Sequence, residues 1–374
     1  MNRKRIVLVV PGGVDVPGGK RVIPFIHHLV ESLASRHDVT VVAVGHDTRY
    51  GEWALLGSYV YNIPIGDHSK TDIARVLSSA TRAVGRRGRP DVVHGLWANL
   101  PGLVAVAAGK VWGAPSVVTV GGGELASVAT VGYGGGLNKG TRRLASNVLS
   151  NAKATTLATS WMQRHITSAG GPYAELVPLG ADSRHFSPGT TTTDPYRLVH
   201  VANLNRVKDQ DLLLYAFERA LRKEPRLTLT VAGADTLDGH HERLAASLGV
   251  ADRVEFLGYV QHDRLADVIR GAGLHVLTSH HDAGPISVLE AAMCRVPTIG
   301  TAVGHVDDFA RMDPAAAVAV SGRNPSSLAD AIGELVSDEE RRELLASNAH
   351  RWAAAHDADF TAVRFEQIYR RLTR

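Results

Sequence analysis

The chain has 374 residues, of which 44% are hydrophobic, 21% charged and 6% aromatic, a composition that favours a folded globular protein and excludes a disordered one. This length exceeds what one hydrophobic core usually supports, so we expect two domains of roughly 150 to 200 residues each. The one cysteine, Cys294, excludes an internal disulfide and a cysteine-based metal site, and it is compatible with a reducing compartment.

The sequence contains no stretch suited to crossing a membrane. No run approaches the roughly 18 to 20 apolar residues that span a bilayer, and the basic residues at the start lead directly into a strand-like run at 6–10. We therefore expect neither a signal peptide nor a transmembrane anchor. The expected location is the cytoplasm, where the basic first half of the chain would allow peripheral contact with the inner face of the membrane.

The net charge of +4 is unevenly distributed. Residues 1–180 contain 19 Lys and Arg against 10 Asp and Glu, and residues 181–374 contain 22 against 27, so the halves carry +9 and −5. The basic half could attract an anionic partner, such as a lipid surface or a phosphorylated acceptor, but ordinary solvated surface charge explains it equally well. The basic residues are dispersed and not interleaved with aromatic ones, so nucleic acid is not an expected partner.

Short β-branched runs alternate with amphipathic stretches in the first half, which predicts a parallel sheet of βαβ units. After the first strand comes a glycine-rich turn with Gly12 and Gly13, then a helical pattern over residues 22–35. Such a turn can bring backbone N–H groups to phosphate oxygens, although a plain tight turn would look the same. The glycine spacing fits neither a dinucleotide fingerprint nor a P-loop. The predicted strands are residues 6–10, 39–44, 92–94, 116–120 and 155–158.

A polar, strand-poor stretch at residues 183–196 predicts a linker between two domains. We expect residues 1–182 and 197–355 to form two doubly wound α/β domains that face each other across a cleft. Residues 356–374 have helical spacing of apolar residues and should form a closing helix that packs back on the first domain. The predicted strands of the second domain are residues 198–202, 227–232, 254–257, 274–278, 298–300 and 317–320.

The strongest chemical signal lies between Thr278 and Pro297, where a strand ends, a Gly-Pro turn follows and a helix begins near Ile286. Asp282 and the glycine backbone would stand at the amino end of that helix, where a diphosphate can be held. Glu290 lies one turn inside the helix, and a carboxylate there can accept two hydrogen bonds from ribose hydroxyls. Its apolar neighbours argue against a merely solvated glutamate.

At this motif the sequence resembles the GT-B retaining glycosyltransferases of glycosyltransferase family 4. Members have an acid, seven residues and then a glutamate, here Asp282 and Glu290, followed by a Val-Pro strand, here Val296-Pro297. The resemblance covers essentially the whole chain and is strongest over residues 177–304. It implies a GT-B fold of two Rossmann-like domains, and transfer of a sugar with retention from a UDP- or GDP-sugar to a saccharide, lipid-linked or small-molecule acceptor.

The resemblance also implies roles for individual residues. Lys208 would neutralise the donor phosphates, Glu290 would bind the ribose hydroxyls, and Asp282 would face the donor sugar. Asp282 and Lys208 are the implied catalytic residues, and His94, which lies on the strand just before the family's histidine position, is a third catalytic candidate. The implied donor-binding residues are Gly12, Gly13, Asn203, Arg206, Lys208, Tyr259, Val260, Asp282, Ala283, Gly284, Pro285, Ile286 and Glu290.

The chain departs from the family pattern at several places. Asn203 stands where members have a phosphate-clamping arginine, and Arg206 is the hypothetical replacement. The first acid is Asp282 instead of the usual glutamate, and Leu96 and Gly121 stand where many members have histidines.

Three polar or aromatic residues of the first half are candidates for the acceptor side: His94, Trp97 and Glu124. His94 could line the acceptor site, or it could be a buried, hydrogen-bonded structural histidine. The resemblance implies no cofactor beyond the nucleotide sugar and no metal. Adjacent histidines on a helix diverge, so one pair alone, such as His240-His241, is not expected to chelate an ion.

Two other functions remain open at this point. A sugar-nucleotide epimerase would bind the same donor without a separate acceptor. A non-catalytic GT-B protein would bind a nucleotide sugar without transferring it, and the departures at Asn203, Leu96 and Gly121 would suit it. A nicotinamide oxidoreductase is disfavoured by the glycine spacing.

Overall fold

A computed structural model of the chain describes residues 3–16, 19, 21–168, 173–189 and 193–374. Residues 190–192 of the predicted linker and residues 17, 18 and 20 of the predicted glycine-rich turn lie outside the described residues. The chain divides into two compact units. The first contains the described residues up to Ser127 with Gly134–Leu179 and Ala358–Arg374, and the second contains Val128–Tyr133 and Gly180–Asp357.

Strands and helices alternate along the described residues, as in α/β proteins. The strands are β1 (Arg5–Val10), β2 (Asp38–Val44), β3 (Gly51–Leu55), β4 (Ser58–Ile63), β5 (Val92–Leu96), β6 (Ser116–Thr119), β7 (Ala154–Leu157), β8 (Glu175–Leu176), β9 (Asp194–Val201), β10 (Thr228–Ala232), β11 (Val254–Gly258), β12 (Ala272–Leu277), β13 (Thr298–Thr301) and β14 (Ala317–Val320). The α-helices are α1 (Pro24–Ala34), α2 (Lys70–Val84), α3 (Leu100–Trp112), α4 (Lys139–Asn151), α5 (Ser160–Ser168), α6 (Gln210–Lys223), α7 (His240–Ser247), α8 (His262–Arg270), α9 (Ile286–Met293), α10 (Gly304–Ala310), α11 (Pro325–Ser337), α12 (Glu339–Ala355) and α13 (Ala358–Leu372).

The strands of the first unit form one sheet in the order β3-β4-β2-β1-β5-β6-β7-β8. Neighbouring strands are parallel except for the antiparallel pair β3 and β4. The sequence did not predict this hairpin. Its turn has positive φ at Leu56 (48°) and Gly57 (79°), as a two-residue hairpin turn requires, but leucine is not the Asn or Asp that usually marks such a turn.

The second unit has a sheet in the order β11-β10-β9-β12-β13-β14, and all its strand pairs are parallel. This is the Rossmann order 3-2-1-4-5-6. Strands covered by helices on both faces are apolar along their whole length, and every residue of β12 is buried. The first strand begins at Asp194, inside the stretch predicted as a linker, where Asp194 N donates to Gly271 O at 3.2 Å.

Helix α13 packs within the first unit. Phe365, Ile368 and Tyr369 are buried in the same core cluster as β1 and β2, and His28 Nε2 of α1 lies 3.0 Å from Asp359 Oδ1. The amphipathic spacing of the final segment is explained by this burial. Within the described residues, no helix combines the length and the apolar character needed to cross a bilayer.

Candidate active site

The segment after β9 carries Lys208 to the carboxyl edge of the second sheet. Asp209, with a φ of 50°, caps α6 by accepting a hydrogen bond of 3.1 Å from Leu212 N. The Lys208 carbonyl oxygen accepts a hydrogen bond of 2.9 Å from Thr278 Oγ1, just after β12. Because its backbone is fixed on both sides, Lys208 is held beside the loop that follows β12.

Lys208 and Asp282 form an ion pair between Nζ and Oδ2. Their side chains are 24% and 14% exposed, so the pair is partly shielded from water and the attraction is stronger than at an open surface. Gly304, at the start of α10, has a φ of 49°, and a Cβ there would lie 2.5 Å from the Asp282 carbonyl oxygen and from Pro285 Cδ. Only glycine permits this approach, which holds the Asp282 loop against α10.

Helix α9 begins at Ile286, and its amino end adjoins the Asp282 loop. The N-cap residue is Pro285, and no side chain caps the first turn. Uncapped N–H groups at a helix amino end, together with the helix dipole, attract anions. The predicted residues Asp282, Ala283, Gly284, Pro285 and Ile286 all lie in this short stretch, with Ala283 and Pro285 buried. The local chemistry therefore suits a phosphate group beside Lys208.

Glu290 is buried in the second turn of α9, with 2% of its surface exposed. His262 Nε2, from the start of α8, lies 2.9 Å from Glu290 Oε1. A buried carboxylate needs such a partner, because an unpaired charge in the interior costs several kcal/mol. His262 packs on Phe186 with ring centroids 5.0 Å apart, so the imidazole that holds Glu290 is itself fixed in place.

The other predicted donor residues lie at the ends of β9 and β11. Asn203 Oδ1 accepts a hydrogen bond of 3.3 Å from Ala234 N, which joins the segments after β9 and β10. Arg206 is exposed, and no ion pair is found for it in the described part of the chain. Tyr259 follows β11 and is 51% exposed, with Val260 half-buried beside it. The replacement of the missing clamp arginine by Arg206 remains a prediction.

Two residues near Asp282 and Lys208 gave no sequence signal. Arg323, after β14, donates to the carbonyl oxygens of Thr278 (2.9 Å) and Ser279 (3.1 Å) and pairs with Asp209, and burial lowers the pKa of Arg323 to about 10. Burial likewise lowers the pKa of His305 to about 4, against the opposing charge of Asp282. Arg323 and His305 come from segments that are distant in sequence from Lys208 and Asp282. Ligand sites tend to form at the carboxyl edge of a parallel sheet, and this general rule could have pointed to both residues.

In the first unit, Gly12 and Gly13 form the turn after β1. Their φ angles are 132° and 74°, and a Cβ on Gly13 would lie 2.3 Å from the Ile23 side chain. The Gly13 carbonyl oxygen accepts a hydrogen bond of 3.0 Å from Ile23 N, just before α1. The turn thus requires glycine for its own geometry, and a role in phosphate binding stays a prediction.

Trp97 and Glu124 lie in the loops that follow β5 and β6. Trp97 has a φ of 78°, which is strained for a bulky residue, and strained residues of this kind cluster at functional sites. Glu124 is 5% exposed, and its Oε1 accepts hydrogen bonds from Ala98 N (2.8 Å) and Gly121 N (2.9 Å). Its other oxygen, Oε2, is buried and has no hydrogen-bond partner among the described residues. Burial, the largest influence, raises the pKa of Glu124.

His94 is buried in the core, with none of its surface exposed. Its Nδ1 lies 2.7 Å from Tyr369 Oη, and its Nε2 lies 2.7 Å from Thr119 Oγ1. Both ring nitrogens are therefore occupied, and burial lowers the pKa of His94 to about 3. Of the two roles considered for His94, this geometry favours the structural one and gives no support to catalytic or acceptor contact.

Models of two protein families match the chain. Residues 183–352 match the model described as "Glycosyl transferases group 1", and residues 22–182 match the one described as "Glycosyl transferase 4-like domain". The chain is 32% identical over 323 residues to a D-inositol 3-phosphate glycosyltransferase of Geodermatophilus obscurus, covering 78% of this chain and 70% of that protein. It is 30% identical over 309 residues to the enzyme of that name from Frankia alni, covering 75% and 74%.

Solved structures share the fold. A sucrose-phosphate synthase from Thermosynechococcus elongatus superposes with a TM-score of 0.81 at 19% identity, covering 99% of both chains. The Anabaena protein HepE in complex with UDP and glucose gives a TM-score of 0.75 at 17% identity, covering 99% of this chain and 100% of that chain. At such identities the likeness concerns the fold alone.

Proposed function

We propose that this chain transfers a sugar from a nucleoside diphosphate sugar with retention of anomeric configuration. The chain belongs to the glycosyl transferases group 1 family, within family 4 of the GT-B glycosyltransferases. It is therefore a glycosyltransferase. Residues 197–355 would bind the donor and residues 1–182 the acceptor. UDP-sugars are the first donors to test, since the similar HepE structure is a complex with UDP and glucose, and GDP-sugars are the second.

The observation that carries this proposal is the ion pair of Lys208 and Asp282 beside the uncapped amino end of α9. Departure of a nucleoside diphosphate develops negative charge on the phosphate oxygen that leaves the sugar. An ammonium group and helix N–H donors held in place before the reaction stabilise that charge without reorganisation. Lys208 and the first turn of α9 would supply this stabilisation, and Asp282 would hold Lys208 and face the sugar.

Glu290 would fix the nucleoside half of the donor. A carboxylate that accepts hydrogen bonds from two ribose hydroxyls anchors the nucleotide at a distance from the reacting bond. Anchoring of this kind positions the anomeric carbon, so that binding energy from the nucleotide contributes to the rate of transfer. His262 holds the carboxylate in place through the 2.9 Å contact with Oε1.

A phosphorylated polyol is the acceptor class to test first. The relatives from Geodermatophilus and Frankia are named for D-inositol 3-phosphate, and residues 1–180 carry the excess of Lys and Arg over Asp and Glu, which favours anionic molecules. In the first unit, the buried Glu124 Oε2 lacks a partner among the described residues and could accept a hydrogen bond from an acceptor hydroxyl.

The test combines donor binding with product analysis. UDP- and GDP-sugars are incubated with inositol phosphates and with unphosphorylated polyols, and nucleoside diphosphate release is followed by a coupled assay. We expect release to depend on the acceptor, and the anomeric coupling constant of the product to show retention by nuclear magnetic resonance. Release without any acceptor requirement, or a product of inverted configuration, would contradict the proposal.

A further inference from the structure

Three side chains from two helices of the second unit converge outside the candidate active site. Asp211 lies in the first turn of α6, and His240 and His241 are the first two residues of α7. His240 Nε2 lies 2.8 Å and His241 Nε2 lies 3.4 Å from the same atom, Asp211 Oδ1. One candidate ligand atom from each residue falls within 4.8 Å of the other two.

We propose that Asp211, His240 and His241 bind a divalent transition-metal ion, for which Zn²⁺ is the appropriate probe. Two imidazole nitrogens and a carboxylate oxygen are a ligand set that suits zinc and its first-row neighbours. Ligands about 2.0 to 2.1 Å from zinc at tetrahedral angles lie roughly 3.4 Å apart. The separation of His241 Nε2 from Asp211 Oδ1 already has this value, and the shorter contact of His240 would open slightly around an ion.

The environment of His241 suits a metal ligand. The residue is 2% exposed, and its Nε2 lies 3.4 Å from Asp211 Oδ1, so packing holds this nitrogen beside the other two candidate ligands. The side chains of Asp211 and His240 are 46% and 47% exposed, which leaves a path for the ion and room for water to complete its coordination.

The cluster differs from the adjacent histidine pair considered in the sequence. Two neighbouring histidines alone diverge, but here a third ligand comes from another helix, 29 residues earlier in the chain at Asp211. For this reason, the proposal departs from the expectation that no metal binds. The inference concerns the structure of the second unit and does not depend on the proposed transfer reaction.

A bound ion would join two segments that border the candidate active site. Helix α6 begins directly after Lys208 and Asp209, and α7 follows the loop after β10. That loop already contacts the segment after β9, since Thr236 Oγ1 donates to the Leu204 carbonyl oxygen at 2.7 Å. An ion between α6 and α7 would stabilise the same junction, so the expected role is structural.

Zinc titration of tag-free, chelator-treated protein tests the proposal. Calorimetry and elemental analysis should show a stoichiometry of about one zinc ion per folded chain. Asp211→Asn and His240→Ala should each weaken binding by more than the roughly 10- to 100-fold that is lost when a residue hydrogen-bonded to a metal ligand is removed. Asp211 and His240 are both half exposed, so these variants should fold, which circular dichroism checks.

His350→Ala is the matched control and should bind zinc as the wild type does. It removes a histidine of the same unit, which contacts the Ala292 carbonyl oxygen at 3.2 Å.

Cobalt supplies a second readout. Co²⁺ bound in the proposed site should give visible absorption bands that disappear in His240→Ala and persist in His350→Ala. Failure of the wild type to bind Zn²⁺ would overturn the proposal and leave the cluster as two His–Asp contacts. Zinc affinity unchanged in both Asp211→Asn and His240→Ala would also overturn it, because the ion would then be bound elsewhere.

Discussion

His262 Nε2 lies 2.9 Å from Glu290 Oε1, so an imidazole from α8 pairs with the buried carboxylate of α9. The two residues are 28 positions apart, and Glu290 is one of the buried residues of α9. In the proposed donor site, such a histidine would orient the carboxylate without touching the reacting sugar. It would thereby connect the proposed nucleoside site to the start of α8.

Glu290→Gln should weaken binding of a nucleoside diphosphate by about 1.5 to 3 kcal/mol, because a charged acceptor of ribose hydrogen bonds becomes neutral. Isothermal titration calorimetry with UDP measures the effect. Glu255→Gln, an exposed glutamate on β11, is the matched control. Equal affinity in Glu290→Gln and wild type would remove Glu290 from the site.

Lys208→Ala should weaken donor binding by about 1.5 to 3 kcal/mol through loss of a charge-assisted phosphate contact, and it should lower kcat as well because the leaving group is less stabilised. Lys223→Ala removes an exposed lysine at the other end of α6, where it pairs with Asp330, and should change neither quantity. If the two variants behave alike in calorimetry and in the transfer assay, Lys208 has no special role.

Tyr369→Phe should destabilise the fold by about 1 to 3 kcal/mol, because it leaves His94 Nδ1 buried without its partner. Urea unfolding measures the loss. Since His94 is held in the core, KM and kcat of the folded variant should match those of the wild type. A large fall in kcat with unchanged stability would instead restore His94 to the catalytic residues.

Stability should decrease as the pH falls below about 6.5, because buried neutral histidines resist protonation. Burial lowers the pKa to about 3 for His94 and His275 and to about 4 for His200 and His305. Between these values and about 6.5 the unfolded chain binds more protons than the folded one, so each histidine contributes at most about 1.4 kcal/mol per pH unit. The stabilisation is fully present above about pH 6.5.

Urea midpoints at about pH 7.5, 6.5 and 5.5 test this dependence. His275→Gln removes one titrating group, so its midpoint should change less with pH than that of the wild type, although the variant is less stable at neutral pH. A wild-type midpoint that is constant over this range would contradict the prediction.

Glu124→Gln should raise KM for the acceptor and leave the affinity for UDP unchanged. The substitution keeps an oxygen for Ala98 N and Gly121 N but puts an NH2 group, which cannot accept a hydrogen bond from an acceptor hydroxyl, in the place of Oε2. Kinetics with an inositol phosphate, alongside UDP calorimetry, separate the two effects. Glu52→Gln, far from this loop on β3, is a control that should leave both unchanged. An equal loss of donor affinity would show that the residue acts on folding or on the donor.

Local spacing was sufficient to predict the segment from β12 to α9. A buried strand, a Gly-Pro turn and a helix lie within residues 272–293, and the structure places Asp282 and Glu290 on that loop and helix. These residues are close in sequence, so their relative positions follow from the geometry of one turn and one helix. The GT-B fold could be recognised because its βαβ alternation and family motifs extend along the whole chain.

Contacts between distant segments could not be predicted in this way. Pairing of His262 with Glu290 and of Arg323 with Asp209 depends on which loops meet at the sheet edge, and sequence spacing does not contain that information. The cluster of Asp211, His240 and His241 is another case, because Asp211 carries no local sign of its proximity to His240. The hairpin of β3 and β4 was missed since Leu56 stands at a turn position that normally signals itself with Asn or Asp.

Arg323 joins parts of the chain 114 residues apart, since one guanidinium binds Asp209 and the carbonyl oxygens of Thr278 and Ser279. This has a practical meaning for recombining the enzyme with its relatives to change the sugar it uses. A crossover between Asp209 and Arg323 would take the carboxylate from one parent and the side chain that binds it from the other. Residues 209–323 therefore form one block for exchange, and crossovers belong outside it.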